Sequence, residues 1–90
     1  MYKIEYTKRF LKDLASLPND VQSQIESIVF EELPKHNIFS LGYLEKMHGY
    51  KDKYKIRVGM YRIGITIYTS ERTVVVERAA HRREIYRFFP

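Results

Sequence analysis

Five cations and two tyrosines are the residues of this chain best suited to chemistry: Lys55, Arg57, Arg62, Arg82 and Arg83, with Tyr61 and Tyr86 close by. Arginine forks match phosphate oxygens, and an aromatic ring stacks on an unpaired base. Basic and aromatic groups together point to single-stranded RNA rather than to duplex reading, since no helix-turn-helix or zinc-finger pattern accompanies them. Lys53 and His81 join Tyr61 as RNA-binding candidates. Glu77 is read first as a counter-ion to the cations and second as a proton-transfer group. His36, His48 and His81 are the remaining acid–base groups, and without ligand spacing they do not make a metal site. There is no Gly-rich phosphate loop, nucleophile elbow or paired-carboxylate motif, and no cofactor is expected.

A hairpin positions three of these cations. Tyr54 to Val58 and Tyr61 to Tyr68 alternate in character around Gly59-Met60, a two-residue turn of the type II′ kind with Gly first. In that register Val58 faces Tyr61, Ile56 faces Ile63 and Tyr54 faces Ile65, and these six side chains share one apolar face. The opposite face then carries Lys55, Arg57, Arg62 and Gly64, with Arg57 directly across from Arg62. Like charges opposed in this way are destabilising, so the face reads as a site awaiting an anion, with open space over Gly64. The plainer alternative is a solvated outer face.

The 90 residues suit a single domain over 1–90 with a modest core. There are no cysteines, hence no disulfide framework, thiolate metal site or cysteine nucleophile. No stretch approaches the ~20 apolar residues of a membrane span, and the N-terminus reads as a strand, not a signal peptide. The net charge of +5 is unevenly spread. Residues 1–45 hold five Lys or Arg against seven Asp or Glu, a net −2, and residues 46–90 hold eleven against four, a net +7. That split favours a polyanion on one side of the molecule, or an acidic protein surface.

Residues 2–6 alternate and read as a short strand. Thr7 is a fitting N-cap for a helix to about Ser16, with Phe10, Leu11, Leu14 and Leu17 at helical spacing. Pro18-Asn19-Asp20 starts a second helix whose apolar stripe is Val21, Ile25, Ile28, Val29 and Leu33, and Pro34 ends it. Residues 35–43 read as a loop, and residues 43–49 as a turn seating Leu44 and Met47. Thr73 to Arg78 form a third strand after a four-residue loop, pairing Ile67 with Val74 and Ile65 with Val76 and bringing Glu77 near Gly64. His81 to Pro90 contains one or two helical turns, which place Arg82, Arg83 and Tyr86 beside the hairpin cations if they fold over the sheet's end. The expected class is α+β, ordered β-α-α-β-β-β plus a short C-terminal helix, with two helices packed on one face of a small antiparallel sheet.

Tyr54 to Ile63, followed by Val74-Val75-Val76 and then Ala80 to Tyr86, resembles the RelE branch of the RelE/ParE toxin superfamily over nearly the whole chain. The resemblance implies the RelE-like microbial ribonuclease fold and a cytoplasmic toxin of a type II toxin–antitoxin pair, held in a hetero-oligomer by a cognate antitoxin. It implies a metal-independent endoribonuclease that cuts mRNA in the ribosomal A site, with no membrane partner. The alternative within the superfamily is a ParE-like inhibitor of DNA gyrase without nuclease activity. In the RelE reading Lys55 and Arg57 match the paired cations of the first central strand, where two lysines are common. Arg62 matches the arginine after the tyrosine of the next strand, Arg82 or Arg83 the arginine before the C-terminal tyrosine, and Tyr86 that tyrosine. Arg57 is a departure, since arginine stays charged and is a poor base. Like charges favour the neutral form of an amine, which makes Lys55 the candidate base.

Overall fold

A computed structural model describes residues 2–90. Strand β1 (Lys3–Tyr6) leads into helix α1 (Lys8–Ala15). Thr7 caps that helix through its hydroxyl, which accepts from the Phe10 N–H at 3.0 Å and donates to the Glu77 carbonyl at 2.8 Å. Helix α2 (Asn19–Glu26) runs into a π-helical stretch, Ser27–Glu32, and then a last α turn, α3 (Leu33–Lys35). Pro34 therefore sits inside the final turn and does not end the helix. The Leu33 N–H reaches back five residues to the Ile28 carbonyl, and the ladder returns to ordinary spacing with the His36 N–H on the Glu32 carbonyl. The Tyr6 hydroxyl donates to the Val29 carbonyl at 2.6 Å and the Tyr43 hydroxyl to Glu32 at 2.5 Å, tying the wide turns down on both sides.

The segment expected to be loop contains a 3₁₀ turn at Ile38–Ser40, and the expected turn at 43–49 begins with a strand, β2 (Leu44–Lys46). Strands β3 (Lys53–Val58), β4 (Tyr61–Tyr68) and β5 (Thr73–His81) follow, then helix α4 (Ile85–Phe88). The sheet order is β1-β5-β4-β3-β2. The α+β class and the two helices on one sheet face are as expected. The sheet itself has a fifth strand, and β1 lies parallel to β5 while all other pairs are antiparallel. Three residues are too few for alternation to announce β2; the open edge of β3 recruits it.

The hairpin register agrees pair for pair with the sequence reading, Arg57 opposite Arg62 and Lys55 opposite Gly64. Gly59 has φ +57°, while Met60 does not share the positive φ, the sign pattern of a type II′ turn. Ile67 pairs with Val74 and Ile65 with Val76, also as expected. Beyond them the register shifts: Gly64 pairs with Arg78, so Glu77 is an extra, unpaired residue in a bulge.

The main core lies between helices and sheet. Phe10, Ile25, Val29 and Leu33 meet Ile56, Ile63, Ile65, Val74 and Val76, all at most 1% exposed. Leu11, expected in the helical stripe, is instead 45% exposed. A smaller cluster of Met47, Ile85 and Phe89 packs with Ala80 on the opposite sheet face. The C-terminal segment thus folds across the cationic face. Gly64 is consequently not open: the Phe89 ring occupies the space above it, where any Cβ would clash.

Candidate active site

Alternation along β3 and β4 places Lys53, Lys55 and Arg57 with Arg62, Gly64 and Thr66 on the sheet face away from the helices. Helix α4 brings Tyr86 onto that face. The Tyr86 hydroxyl is hydrogen-bonded by Lys55 Nζ, which also lies 5.0 Å from the ring centroid, so hydrogen bond and cation–π contact act together. This pair joins residues 31 apart in sequence, and it exists because Phe89 and Ile85 anchor the α4 segment over Gly64.

The two arginines of the hairpin diverge at their heads despite facing each other at the backbone. Arg62 Nη1 donates to the carbonyls of Gly59 and Tyr61, both at 2.9 Å, which folds its guanidinium onto the β3–β4 turn. Arg57 Nη2 lies 4.0 Å from Glu45, with the Arg57 side chain largely in solvent and Glu45 half-buried. Turning apart relieves the repulsion that direct opposition would impose. Glu45 is a carboxylate that the sequence reading did not bring to this face. Three residues carry no local signal for it; the pairing of β2 with β3 sets Glu45 opposite Lys55.

Arg82 is anchored by its backbone, its N–H donating to the Met60 carbonyl at 2.8 Å, and so stands at the same hairpin end as Arg62. The Arg83 N–H donates to His81 Nδ1 at 3.2 Å, which orients that imidazole. Both arginine side chains are exposed. The structure does not bring Tyr61 and His81 to the cationic face. They are paired across β4 and β5 on the helix-side face, rings edge to face at 5.5 Å.

Lys53 sits two residues from Lys55 on the same strand but in a different setting. Its Nζ donates to the Thr66 hydroxyl at 3.0 Å, and that hydroxyl donates to Glu77 Oε2 at 2.6 Å. Thr66 is fully buried, so this relay satisfies it completely. Glu77 therefore reaches the cationic face as expected but takes a hydroxyl, without an ion pair to Lys55, Arg57 or Arg62. Phe89 and Pro90 divide the face, lining both a cleft of 210 Å³ on the Lys53 side and one of 330 Å³ on the Lys55 side.

One further cation is consumed by the fold. Arg78 grips Asp13 through Nε at 2.8 Å and Nη2 at 3.1 Å, and Asp13 also accepts the Ala79 N–H at 3.0 Å. The hydrogen bond to Asp13 raises the Arg78 pKa still further above its ordinary value, against the opposing pull of burial. Its guanidinium also lies 4.7 Å from the Phe88 ring centroid, linking α1, the β5 bulge and α4. Among the described residues no His, Asp and Glu cluster is arranged to hold a metal ion.

Cations and a tyrosine gathered on one face of a β-α-α-β-β-β-β sheet fold define the class to which known proteins can be compared. A family profile described as the ParE toxin of the type II toxin–antitoxin system parDE matches residues 4–86. Toxin RelE3 of Methanocaldococcus jannaschii is 36% identical over 89 residues, 98% of this chain and 99% of that protein. The RelE-type fold recurs in the crystal structure of the RelB–RelE antitoxin–toxin complex from Methanococcus jannaschii, with 35% identity, a TM-score of 0.75, and coverage of 96% of this chain and 99% of that one. It recurs again in the isolated E. coli RelE toxin, at 25% identity and a TM-score of 0.69 over 97% of this chain and 93% of that one. The chain belongs to the RelE/ParE superfamily of toxins of type II toxin–antitoxin systems.

Proposed function

We propose that this toxin is an endoribonuclease that cleaves mRNA in the ribosomal A site without a metal ion, and that a cognate antitoxin holds it inactive in a hetero-oligomer. The observation that carries the reading is the Lys55–Tyr86 pair on a face that also holds Arg57, Arg62 and the Arg82-Arg83 turn. RNA self-cleavage needs the 2′-hydroxyl deprotonated, the in-line phosphorane stabilised and the 5′-oxygen protonated. Fixed cations serve the second need directly. Arg62, held by the hairpin carbonyls, and Arg57 stabilise the phosphorane charge. Lys55 acts on the 2′-hydroxyl, Arg82 or Arg83 holds the phosphate or favours the leaving group, and Tyr86 stacks on or orients the scissile nucleotide.

The antitoxin reading is supported by the RelB–RelE complex to which the chain is similar and by apolar surface left on the molecule. Leu11 and Phe30, on the helical segments, are 45% and 42% exposed, the kind of surface a wrapping partner buries. A partner encoded beside this chain is expected to relieve growth arrest caused by the free protein, and harmless overexpression in several bacterial hosts would count against it.

The name of the matching family profile favours a second reading, a ParE-like gyrase inhibitor that acts by binding alone. Translation in a purified system with primer extension on the mRNA separates the two. Cuts spaced by codons and dependent on ribosomes support the nuclease reading. Cuts on naked RNA indicate a free ribonuclease. Intact mRNA together with gyrase-dependent DNA breaks selects the ParE-like activity.

A further inference from the structure

The 330 Å³ cleft beside Lys55 is walled by two tyrosines that come from distant parts of the chain, Tyr50 and Tyr86. They are 48% and 58% exposed, so two tyrosines each leave about half of their surface uncovered around one concavity. Its floor is apolar, from buried Met47 and Phe89, and His48 stands on its rim. The loop carrying His48 and Tyr50 is set by its backbone. Gly49 has φ +87°, the Tyr50 N–H closes a turn on the Met47 carbonyl at 3.3 Å, and Lys46 Nζ donates to the Tyr50 carbonyl at 2.8 Å. None of these residues is needed for the proton and charge movements assigned above, apart from Lys55 and Tyr86.

We propose that this cleft is a base-recognition subsite, which takes one unpaired nucleobase of RNA next to the scissile phosphate, with Tyr50 as its stacking platform and His48 reading the base edge. The inference rests on the RNA reading of the site and names where its sequence preference arises. A flat π system fits between an apolar floor and an exposed ring, and stacking on an aromatic side chain accepts every base. Discrimination needs a directional partner. A neutral imidazole offers one N–H donor and one acceptor, enough to distinguish base edges. Lys55 at the wall sets the cleft beside the 2′-hydroxyl on which it acts. His48 and Tyr50 are thus positioning and specificity residues.

The test uses trinucleotides made uncleavable by 2′-O-methylation and differing in a single base, titrated into the free protein while the His48 and Tyr50 NMR signals are followed. The parent is expected to prefer one base at one position by about tenfold, the order of one good recognition contact. His48→Ala should level that preference, and Tyr50→Leu should weaken binding of all four bases together by about tenfold. Equal binding of all bases by the parent overturns the proposal. So do variants that discriminate like the parent and merely melt earlier, which would make the loop a packing element. The mRNA cleavage assay distinguishes the two readings. Base preference without cleavage keeps the subsite and removes the nuclease, and cleavage with unchanged preference in His48→Ala keeps the nuclease and removes the subsite.

Discussion

Removing the Arg62 guanidinium takes away two hydrogen bonds to turn carbonyls and also one member of a like-charge pair across β3 and β4. The first effect costs roughly 1 kcal/mol and the second returns a few tenths, so Arg62→Ala should melt within a few degrees of the parent. mRNA cleavage should nonetheless fall at least about 100-fold, as for a lost transition-state donor. Tyr86 is 58% exposed, and Tyr86→Ala should leave the melting temperature nearly unchanged while abolishing cleavage. Melts and primer extension on the same preparations decide both cases; an Arg62→Ala protein that cleaves at the parental rate would sink the site assignment. Gly64→Ala acts through shape alone. Its Cβ collides with Phe89, so the α4 segment must lift, at roughly 1–3 kcal/mol, and Tyr86 leaves Lys55 with it. Cleavage should fall in this variant although no catalytic group has changed, and loss of the Phe89 ring contacts by NMR is the accompanying sign.

Helix α1 is fastened to the β5 bulge by the bidentate Asp13–Arg78 pair, each side chain only 18% exposed. Asp13→Ala leaves Arg78 and the Ala79 N–H without their partner and should cost about 2 kcal/mol, a drop in melting temperature of roughly 10 °C. A drop of less than 2 °C would show that the helix is held by its apolar face alone. The π-helical stretch is fastened by two tyrosines, and burial raises the pKa of both Tyr6 and Tyr43, with the hydrogen bond to Glu32 adding to the rise at Tyr43. A folded-state pKa above the unfolded value gives stability that is complete below pH 10 and is lost as pH rises toward the folded value. Urea midpoints should therefore fall above pH 10, and Tyr43→Phe should flatten that alkaline decline.

Across the whole molecule the charges divide by layer of chain. The helical half carries a net −2, and the strand-rich half, with β3, β4, β5 and the α4 segment, carries +7. Binding to ribosomes or RNA should accordingly weaken steeply with salt, log Kd changing linearly with log salt as phosphate counterions return. A flat response from 50 mM to 200 mM salt would show that the charge division is not a nucleic-acid footprint.

Local chemistry alone determined much of this protein. Thr7 marks the start of α1, Gly59 the hairpin turn, and period-two alternation the register that opposes Arg57 to Arg62, because each depends on neighbours in sequence. The family was visible in those same strands. The helix boundary at Pro34 and strand β2 were not, since one follows from a π turn pinned by Tyr6 and Tyr43 and the other from an edge that β3 offers. The tertiary structure also decided which cations remain free. Arg78 goes to Asp13 and Lys53 to Thr66, Arg62 keeps its charge and is oriented by its own turn, while Phe89 fills the space over Gly64 and sets Tyr86 against Lys55. Those pairings span 13 to 65 residues, apart from Arg62, and long-range contacts depend on how layers stack, which no local pattern encodes.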